Sequence, residues 1–269
     1  MSKQQGPPQI SASGVYHVLK RHGLSRLPQN AKRRQVLTQD QAGAHYLDVN
    51  AGTFLEEEAD CLKWLVEAVQ EASELPLCID SPSPQAIGAV LPFVDKAPLI
   101  NAVTLEPERL EGILPLVVEY KAKVVGLCQS DQSMADTVEA KLEMAGQLVE
   151  AAEAAGIGRD DLYIDTLVYP LSSDAASALA SLEAIRQIMK AYAGVHTTCG
   201  LTNVSHGLPL RKLVNRTFLV AAVAHGADSA IMDPTDDALY AALKTILAVM
   251  GQDDFCLEYI SAFREGRLG

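Results

Sequence analysis

Carboxylates and primary amides recur at the ends of short apolar runs in this chain: Asp48, Asn50, Asp80, Asn101, Gln129, Asp165, Asn203 and Asp233. A single Asp or Asn at such a place commonly caps the helix that follows. A series drawn from many runs points instead to side chains that converge on one site. Three or more carboxylates can hold a divalent cation, but histidine is nearly absent from the series and amides alternate with the acids. That mixture suits a polar heterocycle with several ring donors and acceptors. An aminopyrimidinone edge is such a group, because its exocyclic amine and ring N–H can donate in parallel to one carboxylate. Lys123 begins its run instead of ending it, so Schiff-base aldolase chemistry is not expected. No GxSxG, Walker or GxGxxG pattern occurs. Neither CxxC nor HExxH occurs, and no bound metal is expected.

The elements that must position these residues alternate. Short apolar runs, HYLDVN (45–50), PLCID (76–80), PLINAV (98–103), KVVGLC (123–128), LYIDT (162–166), HTTCGLT (196–202) and DSAIMD (228–233), are separated by longer amphipathic stretches. Near-continuous apolar runs suit parallel strands buried on both faces. The intervening stretches carry helical stripes: Leu62, Leu65, Val66 and Val69; Val138, Leu142, Ala145, Val149 and Ala152; Leu213, Val214, Thr217, Ala221 and Ala224; and Leu239, Ala242, Leu243 and Ile246. A Glu triplet (Glu56–Glu58) favours the start of the first helix, and Gly156 suits a C-cap. Seven such units predict an α/β fold, a single (β/α)8 barrel over residues 1–269, in which strand C-termini face the active site. The eighth strand has to come from the first forty residues. PQISAS (8–13) is the candidate, preceded by Pro7 and Pro8 and scarcely apolar.

The formal net charge of −12 leaves no basic footprint of the kind nucleic-acid binding produces. The cluster Lys32, Arg33 and Arg34 reads as a solvated helix face. No apolar run approaches the ~20 residues of a membrane span. The opening MSKQQGPPQISASG lacks the sections of a signal peptide, so a cytoplasmic protein is expected. Cys61, Cys78, Cys128, Cys199 and Cys256 are scattered and read as buried free thiols of a reducing compartment.

Asp80, Asn101 and Asp165, together with GLTNVSHGLPLRKLVNRTFL (200–219), resemble the methyltetrahydrofolate:corrinoid protein methyltransferases. That family is a pterin-binding barrel related to the folate module of cobalamin-dependent methionine synthase. LDVNAG (47–52), LCIDSPSPQAI (77–87), LINAVT (99–104), LYIDTLVYP (162–170), GLTNVS (200–205), LVNRTFL (213–219) and ADSAIMDPTDDAL (227–239) keep the family's order and approximate spacing from about residue 45 to near 260. The resemblance implies transfer of the N5-methyl between methyltetrahydrofolate and the cobalt of a cobalamin carried by a separate corrinoid protein. Asp80, Asn101 and Asp165 are then expected to bind the pterin, with Asn203 beside N5 as the catalytic amide. Arg211 and His206 are the expected contacts to folate or corrinoid at the mouth. The family tends to dimerise, so a homodimer is expected.

One departure concerns the first strand. The family usually opens with a run of the type I-I-G-E-R-I-N-G, whereas PPQISASG (7–14) lacks both the Glu and the Asn. Two alternatives share the expected site. A dihydropteroate synthase-like enzyme normally carries a late serine-arginine-lysine motif, and no SRK occurs here. A non-catalytic folate-binding subunit of a methyl-transfer system is compatible with the altered opening.

Overall fold

Leucine, isoleucine and valine on both faces of the strands allow each to be covered by helices outside and by barrel interior inside. The computed structural model describes residues 9–12, 36, 38–52, 57–131 and 135–268. Lys32, Arg33 and Arg34 lie outside them. Eight strands follow in order: β1 (Gln9–Ala12), β2 (Tyr46–Asn50), β3 (Leu77–Asp80), β4 (Leu99–Val103), β5 (Lys123–Leu127), β6 (Leu162–Asp165), β7 (His196–Thr198) and β8 (Ser229–Met232). They form one parallel sheet in the order β7-β6-β5-β4-β3-β2-β1-β8. The ring closes beyond β7, where Ile231 N–H donates to the Cys199 carbonyl at 2.9 Å and Gly200 bridges to Ile231. The scarcely apolar first run thus forms a strand, paired with β2 on one side and β8 on the other. β7 ends at Thr198, short of the expected Thr202.

Helices α1 (Glu58–Gln70), α2 (Pro84–Val90), α3 (Pro107–Glu119), α4 (Val138–Ala154), α5 (Ser177–Ala191), α6 (Arg211–Ala224), α7 (Asp237–Val249) and α8 (Leu257–Arg264) follow the strands. Their starts are written locally. Ser83, Thr137 and Asp236 accept the N–H of Ala86, Ala140 and Leu239, N-caps worth about 1 kcal/mol each. Gly156 takes φ +87° just past α4, as its C-capping position requires.

Leu62, Leu65, Val66 and Val69 are buried as the stripe of α1 predicts. Two other stripes differ. In α6 the buried residues are Phe218, Leu219, Ala222 and Val223, while Leu213 and Thr217 are exposed. In α4 the buried face begins with Lys141, followed by Met144, Ala145, Leu148, Val149 and Ala152. A charged residue sits where helical periodicity favoured a neighbouring leucine.

Alternation along the strands gives the barrel interior a layered content. At its N-terminal end, Tyr163 stacks on His196 with ring centroids 4.7 Å apart, and the Lys123 ammonium donates to the Tyr163 hydroxyl at 3.2 Å. Cys78, Leu99 and Val125 fill the next level. Asn50, Asp80 and Asn101 stand in register above it on β2, β3 and β4. The polar series therefore crowns a packed plug, and the plug leaves it a floor.

Candidate functional site

Three adjacent strands, β2, β3 and β4, build one side of the rim. Asn50 pairs in register with Asp80, and Asp80 with Asn101. The Asn50 amide hydrogen-bonds to the Asp80 carboxyl, and its oxygen accepts the Gly52 N–H at 2.9 Å, which fixes its direction. Burial raises the pKa of Asp80. The Asn50 bond and the nearby Arg109 guanidinium oppose that rise, while the Glu58 charge reinforces it. Glu58 is itself buried and accepts the Ser81 hydroxyl at 2.6 Å. The residue expected to serve only the start of α1 therefore lies behind the site.

Asp48 sits one layer deeper, 4% exposed, and its Oδ1 has no hydrogen-bond partner among the described residues. Burial first, then the Asp80 charge, push its pKa well above the usual carboxylate range. Burial thus favours the protonated form of Asp48, in which it could donate a hydrogen bond beside the Asp80 carboxyl.

Across the barrel, β6 ends in Asp165, 6% exposed. Its Oδ1 accepts the Leu167 N–H at 2.7 Å, and the Gly200 N–H also reaches its carboxyl. Burial lifts its pKa to about 6, against the pull of both N–H groups and of the Lys141 charge. Lys141 was not among the expected site residues. Its ammonium, delivered from α4, donates to the carbonyls of Thr166 at 2.6 Å, Ala135 at 2.7 Å and Leu167 at 3.0 Å. The sequence signal, a lysine among apolar neighbours on one helix face, is too common on surface helices to single out.

The loop after β7 brings the third part. Asn203 stands not on a strand end but in a 3₁₀ turn, Leu201–Ser205, where its side chain is exposed at the mouth. Gly200 permits that turn in a specific way: a Cβ there would lie 3.0 Å from the Asn203 Nδ2. Arg211, at the start of α6, folds back on the turn. Its Nε donates to Ser205 Oγ at 3.1 Å and its NH2 group to the Thr202 carbonyl at 2.9 Å. His206 closes the turn with an exposed ring, and its carbonyl accepts the Ser172 hydroxyl at 2.7 Å.

Two of the polar strand ends serve local structure. Asp233 accepts the N–H and hydroxyl of Thr235 at 3.0 and 2.7 Å, and Gln129 donates to Glu106 at 3.2 Å. Cys199 is buried, and burial with the Asp165 charge raises its thiol, which disfavours a thiolate nucleophile. Among the described residues, no group of three His, Cys, Asp or Glu side chains is placed to hold a metal ion. A small cleft beside Ser73, Leu77 and Lys96 lies at the opposite end of the barrel.

The rim thus gathers a deeply buried acid, Asp48, the carboxyls of Asp80 and Asp165, the Asn101 amide, and an exposed amide, Asn203, at the opening. A flat ring with N–H groups on one edge and a basic nitrogen on the other would meet a partner at each position.

Comparison with known proteins bears on the same elements. Residues 23–233 match the family model described as pterin binding enzyme. A methylcorrinoid:tetrahydrofolate methyltransferase of Eubacterium limosum is 39% identical over 242 residues, covering 88% of this chain and 88% of that protein. A methionine synthase of Mycobacterium tuberculosis is 31% identical over 206 residues, 72% of this chain but 17% of that longer protein. Among solved structures, dihydropteroate synthase from Xanthomonas albilineans in complex with 7,8-dihydropteroate superimposes with a TM-score of 0.68 at 23% identity, covering 93% of this chain and 95% of that one. At that identity the likeness concerns the barrel.

Proposed function

The chain belongs to the pterin-binding enzyme family, and from that premise we propose that it moves the N5-methyl group between methyltetrahydrofolate and the cobalt of a separate corrinoid protein. The observation that carries this reading is the ring of Asp48, Asp80, Asn101 and Asp165 with Asn203 above it, in a chain 39% identical to a methylcorrinoid:tetrahydrofolate methyltransferase. The dihydropteroate synthase-like alternative rests on the fold alone.

In this reading Asp80 and Asp165 accept the amine and ring N–H donors of the pterin, and the Asn101 amide fits an edge that presents both a donor and an acceptor. A tertiary amine leaves poorly. As the bond between N5 and the methyl carbon breaks, its electron pair stays on nitrogen, which must be protonated or strongly hydrogen-bonded. The bound corrinoid supplies the cobalt that takes up or gives up the methyl group. Asn203 can turn its amide NH2 toward N5 and strengthen that bond as basicity develops; a bond stronger in the transition state than in the ground state raises the rate. Asp165 is linked to this turn through Gly200 and, near pH 6, exists in both protonation states.

The corrinoid protein must approach over Asn203. Residues 184–227 contain no Asp or Glu, in a chain of net charge −12. Within that stretch Leu210 and Leu213 are 77% and 54% exposed beside Arg211 and Lys212. An apolar rim flanked by cations fits an acidic partner surface around the corrinoid, with Arg211 holding the turn and His206 facing outward. A second exposed apolar face, on the end of α7, on α8 and on the segment between them, comprises Val249, Phe255, Leu257, Ile260 and Phe263. With Met250 and Tyr259 it amounts to about 800 Å², the area one partner contributes to a standard interface, and a homodimer through this face is the proposed assembly. The described cysteines are free thiols, which suits a reducing compartment, and the cytoplasm is the proposed location. No described helix is long and apolar enough to cross a membrane.

The test is direct. The protein mixed with methyltetrahydrofolate and cobalt(I) cobalamin is expected to develop methylcobalamin absorbance. Folded protein that binds folate without that change selects the non-catalytic alternative, and folded protein that binds no folate overturns the site.

A further inference from the structure

Lys141 is fully buried, and none of the ion pairs among the described residues includes it. Its three carbonyl bonds come from two separate segments, Ala135 before α4 and Thr166–Leu167 after β6. Three acceptors match the three N–H bonds of an ammonium; a neutral amine offers two. Leu167, held by its own carbonyl, adopts φ +51°, and its N–H is the donor that meets Asp165 at 2.7 Å. The same side chain thus fixes the loop on which the Asp165 hydrogen bond depends and buries one positive charge beside it.

We propose that Lys141 is a positioning residue for the rim: it clamps the loop after β6 so that the Leu167 N–H faces Asp165, and its charge keeps that carboxyl ionised for an incoming N–H donor. Asp165 is faced by few other titratable groups. From the strands come Cys128 and Cys199, and from the loop after β6 comes Tyr169. Burial raises all three of these, so they stay neutral at pH 7 and offer no compensating charge. Burial lowers the pKa of Lys141, and the charges of Asp165, Asp136 and Asp174 oppose that fall and favour its ammonium form. Lys141 is thus the cation that acts on Asp165 from within the fold. The functional part of the proposal rests on the pterin reading of the site. The electrostatic part does not.

The experiment is a carboxyl ¹³C titration of Asp-labelled protein, with the Asp165 resonance identified by its loss in Asp165→Asn. Wild type is expected to titrate at about 6. Lys141→Met, which keeps the stem and removes the charge, is expected to raise that midpoint by about one pH unit, a tenfold change in proton affinity. Lys141→Arg retains the charge and is expected to leave the midpoint in place. Where the Met variant does not fold, Lys141→Gln, which keeps amide donors for the carbonyls, takes its place. In parallel, methyltetrahydrofolate affinity at pH 7 is expected to fall about twofold in the uncharged variant, as the ionised fraction of Asp165 drops from about nine-tenths to about one-half, and to recover by about pH 9, where Asp165 is again ionised. An Asp165 midpoint unmoved by loss of the charge overturns the proposal, as does an equal shift in the Arg variant. A shifted midpoint in a protein that binds no folate supports the role of Lys141 and overturns the pterin reading.

Discussion

Replacing Asp165 by Asn should make the ligand-free protein more stable at alkaline pH while removing its function. Asp165 is 6% exposed, and burial raises its pKa from 3.8 to about 6. At 1.36 kcal/mol per pH unit that elevation corresponds to about 3 kcal/mol of penalty on the ionised form. The direction follows from linkage. Below about pH 4 the carboxyl is protonated in both folded and unfolded chains, and no penalty exists. Between about pH 4 and 6 the unfolded chain releases this proton and the folded chain retains it, so stability falls as pH rises. Above about pH 6 the full penalty is present. An amide has no such slope. Asn offers one oxygen acceptor, and its NH2 would face one of the two backbone N–H groups from Leu167 and Gly200. That mismatch costs about 1–2 kcal/mol at every pH. Asp165→Asn should therefore be about 1–2 kcal/mol more stable than wild type at pH 8, and less stable by a similar amount at about pH 4. Urea unfolding followed by circular dichroism at the two pH values measures the difference. At pH 8 the expected rise in Tm is about 2–4 °C. A stability difference that does not change between these pH values would refute the reasoning, because it would mean that Asp165 titrates alike in both states. Loss of methyltetrahydrofolate binding by about a hundredfold in the same variant would place the stability penalty in the service of binding.

Three further outcomes are expected. Asn203→Ala should lower turnover about 10²-fold or more, with methyltetrahydrofolate affinity changed less than about threefold, in the methylcobalamin absorbance assay; equal losses in both would make Asn203 a simple binding group. Gly200→Ala should reduce turnover about tenfold, because its Cβ displaces the Asn203 amide 3.0 Å away, and leave Tm within about 2 °C, since φ at Gly200 is −71° and suits alanine. The proposed homodimer predicts a dimer in sedimentation velocity that Phe255→Ser combined with Phe263→Glu converts to a monomer, and methyl transfer by that monomer would show that the mouth works without the α8 face.

Much of this protein is legible because its signals are local. A run such as LYID carries enough apolar surface to be a buried parallel strand wherever it occurs, and caps such as Ser83 and Thr137 act on N–H groups three residues away. Asp80 and Asp165 could be placed at one rim from the sequence because each terminates such a strand, and a barrel collects strand ends at one face. The remainder depends on groups distant in the chain. PQISAS has too little apolar character to declare itself, and its residues Gln9–Ala12 become a strand because β2 and β8 leave a gap in the ring of backbone hydrogen bonds. Asp48 reads as one more strand-end acid, and its unpartnered Oδ1 and raised pKa come from burial beside Asp80. Lys141 reads as an ordinary helix lysine. Its burial places an ammonium under the loop of β6, 25 residues away, where three carbonyls converge. Hydrophobic period and capping are settled within a turn or two of chain. Charge state and hydrogen-bond satisfaction are settled by whatever the fold brings into a low-dielectric interior, and only the tertiary structure supplies that neighbourhood.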